Sequence, residues 1–216
     1  GNDTVHGGDD TDDIVGMAGD DALFGDAGND RIRGDGPSVY QPGLVVWTAS
    51  DHHGRDLIDG GAGNDTLLGQ GNDDELYGGT GDDKIWGDDR STTDTPIEVH
   101  GNDHIEAGDG SDTVYGGGRN DDIWGGSGND NLWGDDDQTI VPAAYQGQDY
   151  LDGEDGDDQL VGGGNDDQLF GGSGNDKLFG DDVQSAVDGS VHGHDYLDGE
   201  DGNDTLVGGG NSDDLW

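Results

Sequence analysis

Aliphatic residues return every nine positions along this chain. They fall in five blocks: Val5, Ile14, Leu23 and Ile32; Ile58, Leu67, Leu76 and Ile85; Ile105, Val114, Ile123 and Leu132; Leu151, Leu160, Leu169 and Leu178; and Leu197, Leu206 and Leu215. With one extended residue on each side, such a position makes a three-residue strand. Its central side chain points one way and its neighbours point the other. The six residues between strands are rich in Gly, which permits left-handed backbone angles that a Cβ forbids, so they predict a turn. No stretch has a helical period, and the glycine density penalises helix heavily. The pattern predicts an all-β repeat protein in which short strands and turns alternate.

Between blocks the step lengthens to 26, 20, 19 and 19 residues. Each insert leaves after a Gly-Asp (Gly34-Asp35, Gly87-Asp88, Gly134-Asp135, Gly180-Asp181). Each rejoins at a Gly-x-Asp beginning at Gly54, Gly101, Gly147 or Gly193. The inserts carry all four Pro and runs such as Leu44-Val45-Val46-Trp47, and read as excursions from a regular rod. We therefore expect one continuous unit over 1–216, with blocks at 1–33, 54–86, 101–133, 147–179 and 193–216. The chain starts within a turn and stops just after a strand, without polar caps. Repeat arrays need such caps, so the expectation is a portion of a longer array.

Two residues before every aliphatic stands an aspartate: Asp3, Asp12, Asp21, Asp30, Asp56, Asp65, Asp74, Asp83, Asp103, Asp112, Asp121, Asp130, Asp149, Asp158, Asp167, Asp176, Asp195, Asp204 and Asp213. Gly78 to Trp86 and Gly171 to Phe179 give the full unit, Gly-Gly-x-Gly-x-Asp-x-aliphatic-x. Where the fourth position lacks Gly it is often Asn (Asn72, Asn165, Asn211), a good substitute in left-handed geometry. Such a turn can aim carbonyls inward, and the Asp adds a carboxylate. Calcium takes about six to eight hard oxygens in a tolerant geometry, whereas magnesium demands near-ideal octahedra and keeps its waters. Softer metals find no thiolate. The nineteen aspartates are the predicted calcium ligands. In Asp82-Asp83 the second is the ligand and the first is optional.

Composition changes the picture in one respect. The chain has 47 Gly, 52 acidic against 7 basic residues, a net charge of −45, and only 27 % apolar residues. That composition alone would read as disorder. Periodic apolar and acidic positions reverse the reading, provided that bound cations neutralise the carboxylates and folding is conditional on metal. Cysteine is absent, which removes disulfides and thiolate chemistry. No apolar run approaches a membrane span, and the charge argues against nucleic acid as a partner.

These repeats resemble the RTX (repeats-in-toxin) family, with its hemolysin-type calcium-binding nonapeptides, over the whole chain apart from the inserts. The resemblance implies a right-handed parallel β-roll of 18 residues per coil, with several calcium ions shared between turns i and i+2 on one edge. It also implies export by bacterial type I secretion, a secreted or cell-surface location, and folding on arrival in calcium. Blocks of four nonapeptides make two coils each, so every insert is expected on the same edge. The opposite edge then carries nine uninterrupted turns, ending at Asp12, Asp30, Asp65, Asp83, Asp112, Asp130, Asp158, Asp176 and Asp204. Sites beside an insert are expected to present fewer carbonyls.

The residue after each aliphatic faces outward. On even strands it forms a column, Val15, Arg33, Leu68, Trp86, Tyr115, Trp133, Val161, Phe179 and Val207. Either the inserts cover it, through residues such as Val39, Tyr40, Trp47, Ile97, Ile140, Tyr145 or Val187, or it serves self-association or glycan stacking. His53, His100 and His192 each precede the Gly that closes an insert, and His52 adjoins His53. They read as turn caps, with zinc the alternative. Neither His-Glu-x-x-His nor Gly-x-Ser-x-Gly occurs, and acidic pairs recur in too many turns to mark a catalytic site. The expectation is a non-catalytic, calcium-binding array. The alternatives are the C-terminal array of a secreted protease, lipase, epimerase or toxin, or a calcium-dependent adhesin or surface coat. Ice binding is disfavoured, because the outward positions lack a regular Thr or Asn array.

Overall fold

The computed structural model describes residues 1–36, 39–41, 44–46, 53–88, 99–135, 144–181 and 192–216. Consecutive strands alternate between two sheets. In the first sheet the strands carrying Val5, Leu23, Ile58, Leu76, Ile105, Ile123, Leu151, Leu169, Leu197 and Leu215 are neighbours in that order. The second sheet stacks those carrying Ile14, Ile32, Leu67, Ile85, Val114, Leu132, Leu160, Leu178 and Leu206. Every pairing within the two sheets is parallel, and aliphatic faces aliphatic at every step. The molecule is a parallel β-roll in which two nonapeptides make one coil.

The alternation of side chains decides what is inside. Strand Lys84–Asp88 reads exposed, buried, half-buried, buried, buried, and its Ile85 points inward. The aliphatics from Ile14 to Leu197 form one apolar cluster, almost all of them fully buried. Val5 and Leu206 close it partly, and Leu215 is exposed. The core is thus one side chain per half-coil, flanked on both edges by buried aspartates.

All four inserts interrupt connections that run from the second sheet to the first, so they share one edge. Register passes them without a slip: Leu23 pairs with Ile58, and Leu76 with Ile105. The reason lies in the fourth position of the turn. A Cβ on Gly81 would lie 1.9 Å from the Gly63 carbonyl oxygen of the preceding coil, and φ there is +125°. The closing glycines of the inserts meet the same obstacle. A Cβ on Gly101 would lie 1.9 Å from the Asn72 oxygen, and one on Gly147 1.7 Å from that of Arg119. Each insert therefore expands the third position of a turn and rejoins at the fourth. Within the first insert, Val39–Gln41 and Leu44–Val46 pair as an antiparallel hairpin. The insert residues proposed to cover the outer column lie outside the residues with described side chains, except Tyr145, over whose ring the Arg119 guanidinium sits at 5.7 Å.

Candidate metal sites along the edges of the roll

The nineteen aspartates form two ladders inside the edges. On the uninterrupted edge, each Asp backbone N–H donates to Oδ1 of the Asp one coil later: Asp12 to Asp30, Asp30 to Asp65, Asp65 to Asp83, and onward to Asp204. On the insert edge the same bond runs from Asp3 to Asp21, Asp56, Asp74 and onward to Asp213. These bonds measure 2.6 to 3.2 Å. One carboxylate oxygen is thereby fixed.

The other oxygen is not. Oδ2 of sixteen ladder aspartates, from Asp12 to Asp195, is buried without a hydrogen-bond partner. A buried anionic oxygen left in that state is costly unless a cation meets it. Its surroundings suit one. A Cβ on Gly78 would lie 2.7 Å from Asp83 Oδ2 and 2.3 Å from the Ala107 carbonyl oxygen of the next coil. The same pair of oxygens converges at Gly125, between Asp130 and Gly153, and at Gly171, between Asp176 and Gly199. Glycine at the first position thus leaves a cradle walled by one carboxylate and one carbonyl from successive coils. Among the described residues no three His, Asp or Glu side chains converge as a metal cluster, so backbone carbonyls must complete any coordination shell.

The model of the RTX calcium-binding nonapeptide repeat (four copies) matches residues 1–23, 6–36, 54–85, 101–123, 115–138, 144–182 and 193–216. The chain belongs to this family. No curated protein matches it. The RTX repeats are of the calcium-binding kind, and the hard, all-oxygen cradles agree with that chemistry.

Insert-bearing turns of the RTX roll keep the carboxylate and the next-coil carbonyl at their first-position glycine. Gly34 faces Asp56 Oδ2 and the Gly69 oxygen; Gly87 faces Asp103 and Gly116; Gly134 faces Asp149 and Gly162. A clamp explains this. The Asp that opens each insert accepts, at Oδ1, the N–H of the Gly that closes it: Asp35 from Gly54, Asp88 from Gly101, Asp135 from Gly147 and Asp181 from Gly193, at 3.0 to 3.3 Å. His53, His100 and His192 add Nδ1 contacts to Oδ2 of Asp35, Asp88 and Asp181, at 2.8 to 3.0 Å. The residue at the fourth position of the next turn locks the closure from outside. Asn72 donates to the His53 carbonyl, Arg119 to that of His100, and Asn165 to that of Gln146. These histidines cap turns; His52 lies outside the described residues.

Burial dominates the electrostatics. In the metal-free roll it pushes Asp56 and Asp149 up to about 8, Asp83, Asp158 and Asp195 up to about 7, and Asp112 and Asp130 up to about 6. Asp74, Asp103, Asp121 and Asp167 are also raised well above the ordinary carboxylate value, by burial first and then by neighbouring carboxylates.

The fifth position carries a ladder that sequence reading did not assign. Asn64 Oδ1 accepts the Asp82 N–H at 3.2 Å, Asp82 Oδ1 accepts that of Ser111 at 3.0 Å, and Asp157 Oδ1 accepts that of Asn175 at 2.8 Å. This outer ladder is exposed and runs with the opposite polarity. Its signal was available, since thirteen of nineteen fifth positions are Asn or Asp, residues that readily bond nearby backbone.

Proposed function

We propose that this chain is a non-catalytic, calcium-dependent folding unit of a secreted or cell-surface bacterial protein, with the nineteen ladder aspartates as ligands. The observation that carries the reading is the row of buried, partnerless Oδ2 atoms, all but that of Asp112 set against a carbonyl of the next coil at a first-position glycine. Bound calcium supplies positive charge where these oxygens converge. The chain's own part is to hold Oδ1 by the backbone ladder, so that Oδ2 faces the cradle. The apolar core is too thin to offset chain ordering alone, which makes folding depend on the metal. Membership of the family supports export into calcium-rich surroundings. Among the described residues no helix is long and apolar enough to cross a membrane. The acidic pairs repeat from turn to turn, which fits repeated metal ligation better than a single catalytic site.

The test is a calcium titration of the metal-free chain followed by circular dichroism, with magnesium in parallel. A cooperative gain of β signal in calcium, little in millimolar magnesium, and reversal by chelator are expected. A spectrum that does not change on chelation would contradict the proposal.

A further inference from the structure

The two outer faces of the roll differ in charge. Four of the chain's seven Lys and Arg stand on the second sheet's outer face: Arg31, Arg33, Lys84 and Lys177. One acid, Asp13, accompanies them and lies 4.0 Å from Arg33. The first sheet's outer face has no Lys or Arg. It carries acids including Asp59, Glu106 and Asp198, interleaved with aromatic rings. Those rings form a continuous file, Tyr77–His104–Trp124–Tyr150–Phe170–Tyr196, with centroids 4.9 to 6.1 Å apart. The second face has its own stack, Trp86–Tyr115–Trp133, at 5.9 and 4.7 Å.

We propose that the acidic first-sheet face binds the basic second-sheet face of another copy of this chain, so that calcium-loaded rolls associate side by side. Spacing supports this as well as charge. Every turn reverses the chain, so strands of the two sheets run in opposite directions. When two rolls lie side by side in the same orientation, the column before the aliphatic on one second sheet overlies the column after the aliphatic on the other's first sheet. In the former column Arg31, Lys84 and Lys177 occupy the second, fourth and eighth strands of their sheet. In the latter, Asp59, Glu106 and Asp198 occupy the third, fifth and ninth. A stagger of one coil, about 5 Å, places all three bases opposite acids.

The same stagger sets Trp133 opposite Tyr150 and Phe179 opposite Tyr196, while Asp13 meets Phe24 instead of another acid. The contact is heterologous and leaves one free face of each kind, so association continues past the dimer. Calcium acts as the permissive condition. One divalent ion for each of the seventeen stacked aspartate pairs would reduce the net charge from −45 to −11 and relieve repulsion between copies.

The experiment is multi-angle light scattering on the calcium-loaded chain against concentration and salt, with two triple variants. One is Arg31→Glu, Lys84→Glu and Lys177→Glu; the other is Asp59→Lys, Glu106→Lys and Asp198→Lys. The native chain should exceed dimer mass at low salt and dissociate in about 1 M salt, where screening acts over a few ångströms. Each variant, folded in calcium by circular dichroism, should stay monomeric, and an equimolar mixture should associate again. If a triple variant fails to fold, Lys84→Glu alone should still lower the native mass at a given concentration. A native chain that stays monomeric, mass that stops at the dimer, variants that assemble like the native chain, or a mixture that stays monomeric overturns the proposal. A monomeric native chain would leave the aromatic file to another partner, such as a glycan.

Discussion

Ala107 stands at the first position of its turn, where the other seventeen turns have glycine. It is fully buried among the apolar core. At equivalent glycines a Cβ falls between the ladder carboxylate and the next carbonyl, so the Ala107 methyl fills the cradle beside Asp112. Ala107→Gly should add one calcium ion to the calorimetric stoichiometry. Gly125→Ala, whose Cβ would sit 2.7 Å from Asp130 Oδ2 and 2.9 Å from the Gly153 oxygen, should remove one. A second comparison separates the two ladders. Asp130→Asn weakens a charged ligand and should raise the calcium midpoint of folding. Asp82→Asn keeps the Oδ1 that accepts the Ser111 N–H and should change stability by less than about 0.5 kcal/mol. At this scale much was legible. Asn72 and Asn165 have φ of +70° and +74°, as their position in the repeat implied. Asp26, Glu154 and Glu200, at second positions with φ of +59° to +70°, were not. There the neighbouring coils impose a conformation that the residue's own preference does not announce.

The four inserts show what an element can reveal by repetition. Their common edge followed from counting nonapeptides, because two make a coil. The clamp that closes them did not, because its partners are 12 to 19 residues apart in sequence, and only the recurrence of His or Gln before the closing Gly hints at it. Since each insert only expands a third position, excising residues 136–145 leaves Gly134-Asp135-Gln146-Gly147, a turn of ordinary length. Calcium-induced folding of that variant, followed by circular dichroism, should keep its midpoint within about twofold, because ladder and register pass the insert unbroken. Conversely, Asp35→Ala removes the acceptor of both Gly54 and His53, and should unlatch the first insert. Faster proteolysis at the insert in the presence of calcium is the expected readout.

For the whole molecule, charge and proton uptake are coupled. The ladder aspartates Asp56, Asp83, Asp112, Asp130, Asp149, Asp158 and Asp195 have pKa values in the metal-free fold above the ordinary value of 3.8, mainly through burial. Their contribution to the stability of that fold is therefore fully present below about pH 4, and is lost as pH rises through about 6 to 8. Two outcomes are expected. In chelator, the chain should be more compact near pH 4 than at pH 8, measured by small-angle scattering. With calcium, the midpoint concentration for folding should rise as pH falls from 8 to 5, and calcium uptake should release protons, measured in buffers of different ionisation enthalpy. The core residues and both aspartate ladders could be read from a nine-residue period. Which outer columns share an edge of the roll could not, because it depends on two sheets whose strands run in opposite directions.

The placement of the inserts also sets a footprint. They emerge from one edge at every second coil, which is a pitch of about 10 Å along the rod. That is close to the width of a single helix with its side chains. A slender hairpin such as Val39–Gln41 with Leu44–Val46 fits beside an equal neighbour. Globular cargo grafted at successive inserts would collide. A roll of this design can therefore display a dense fringe of thin structures, or a sparse set of bulky ones at alternate inserts, but not bulk at every one.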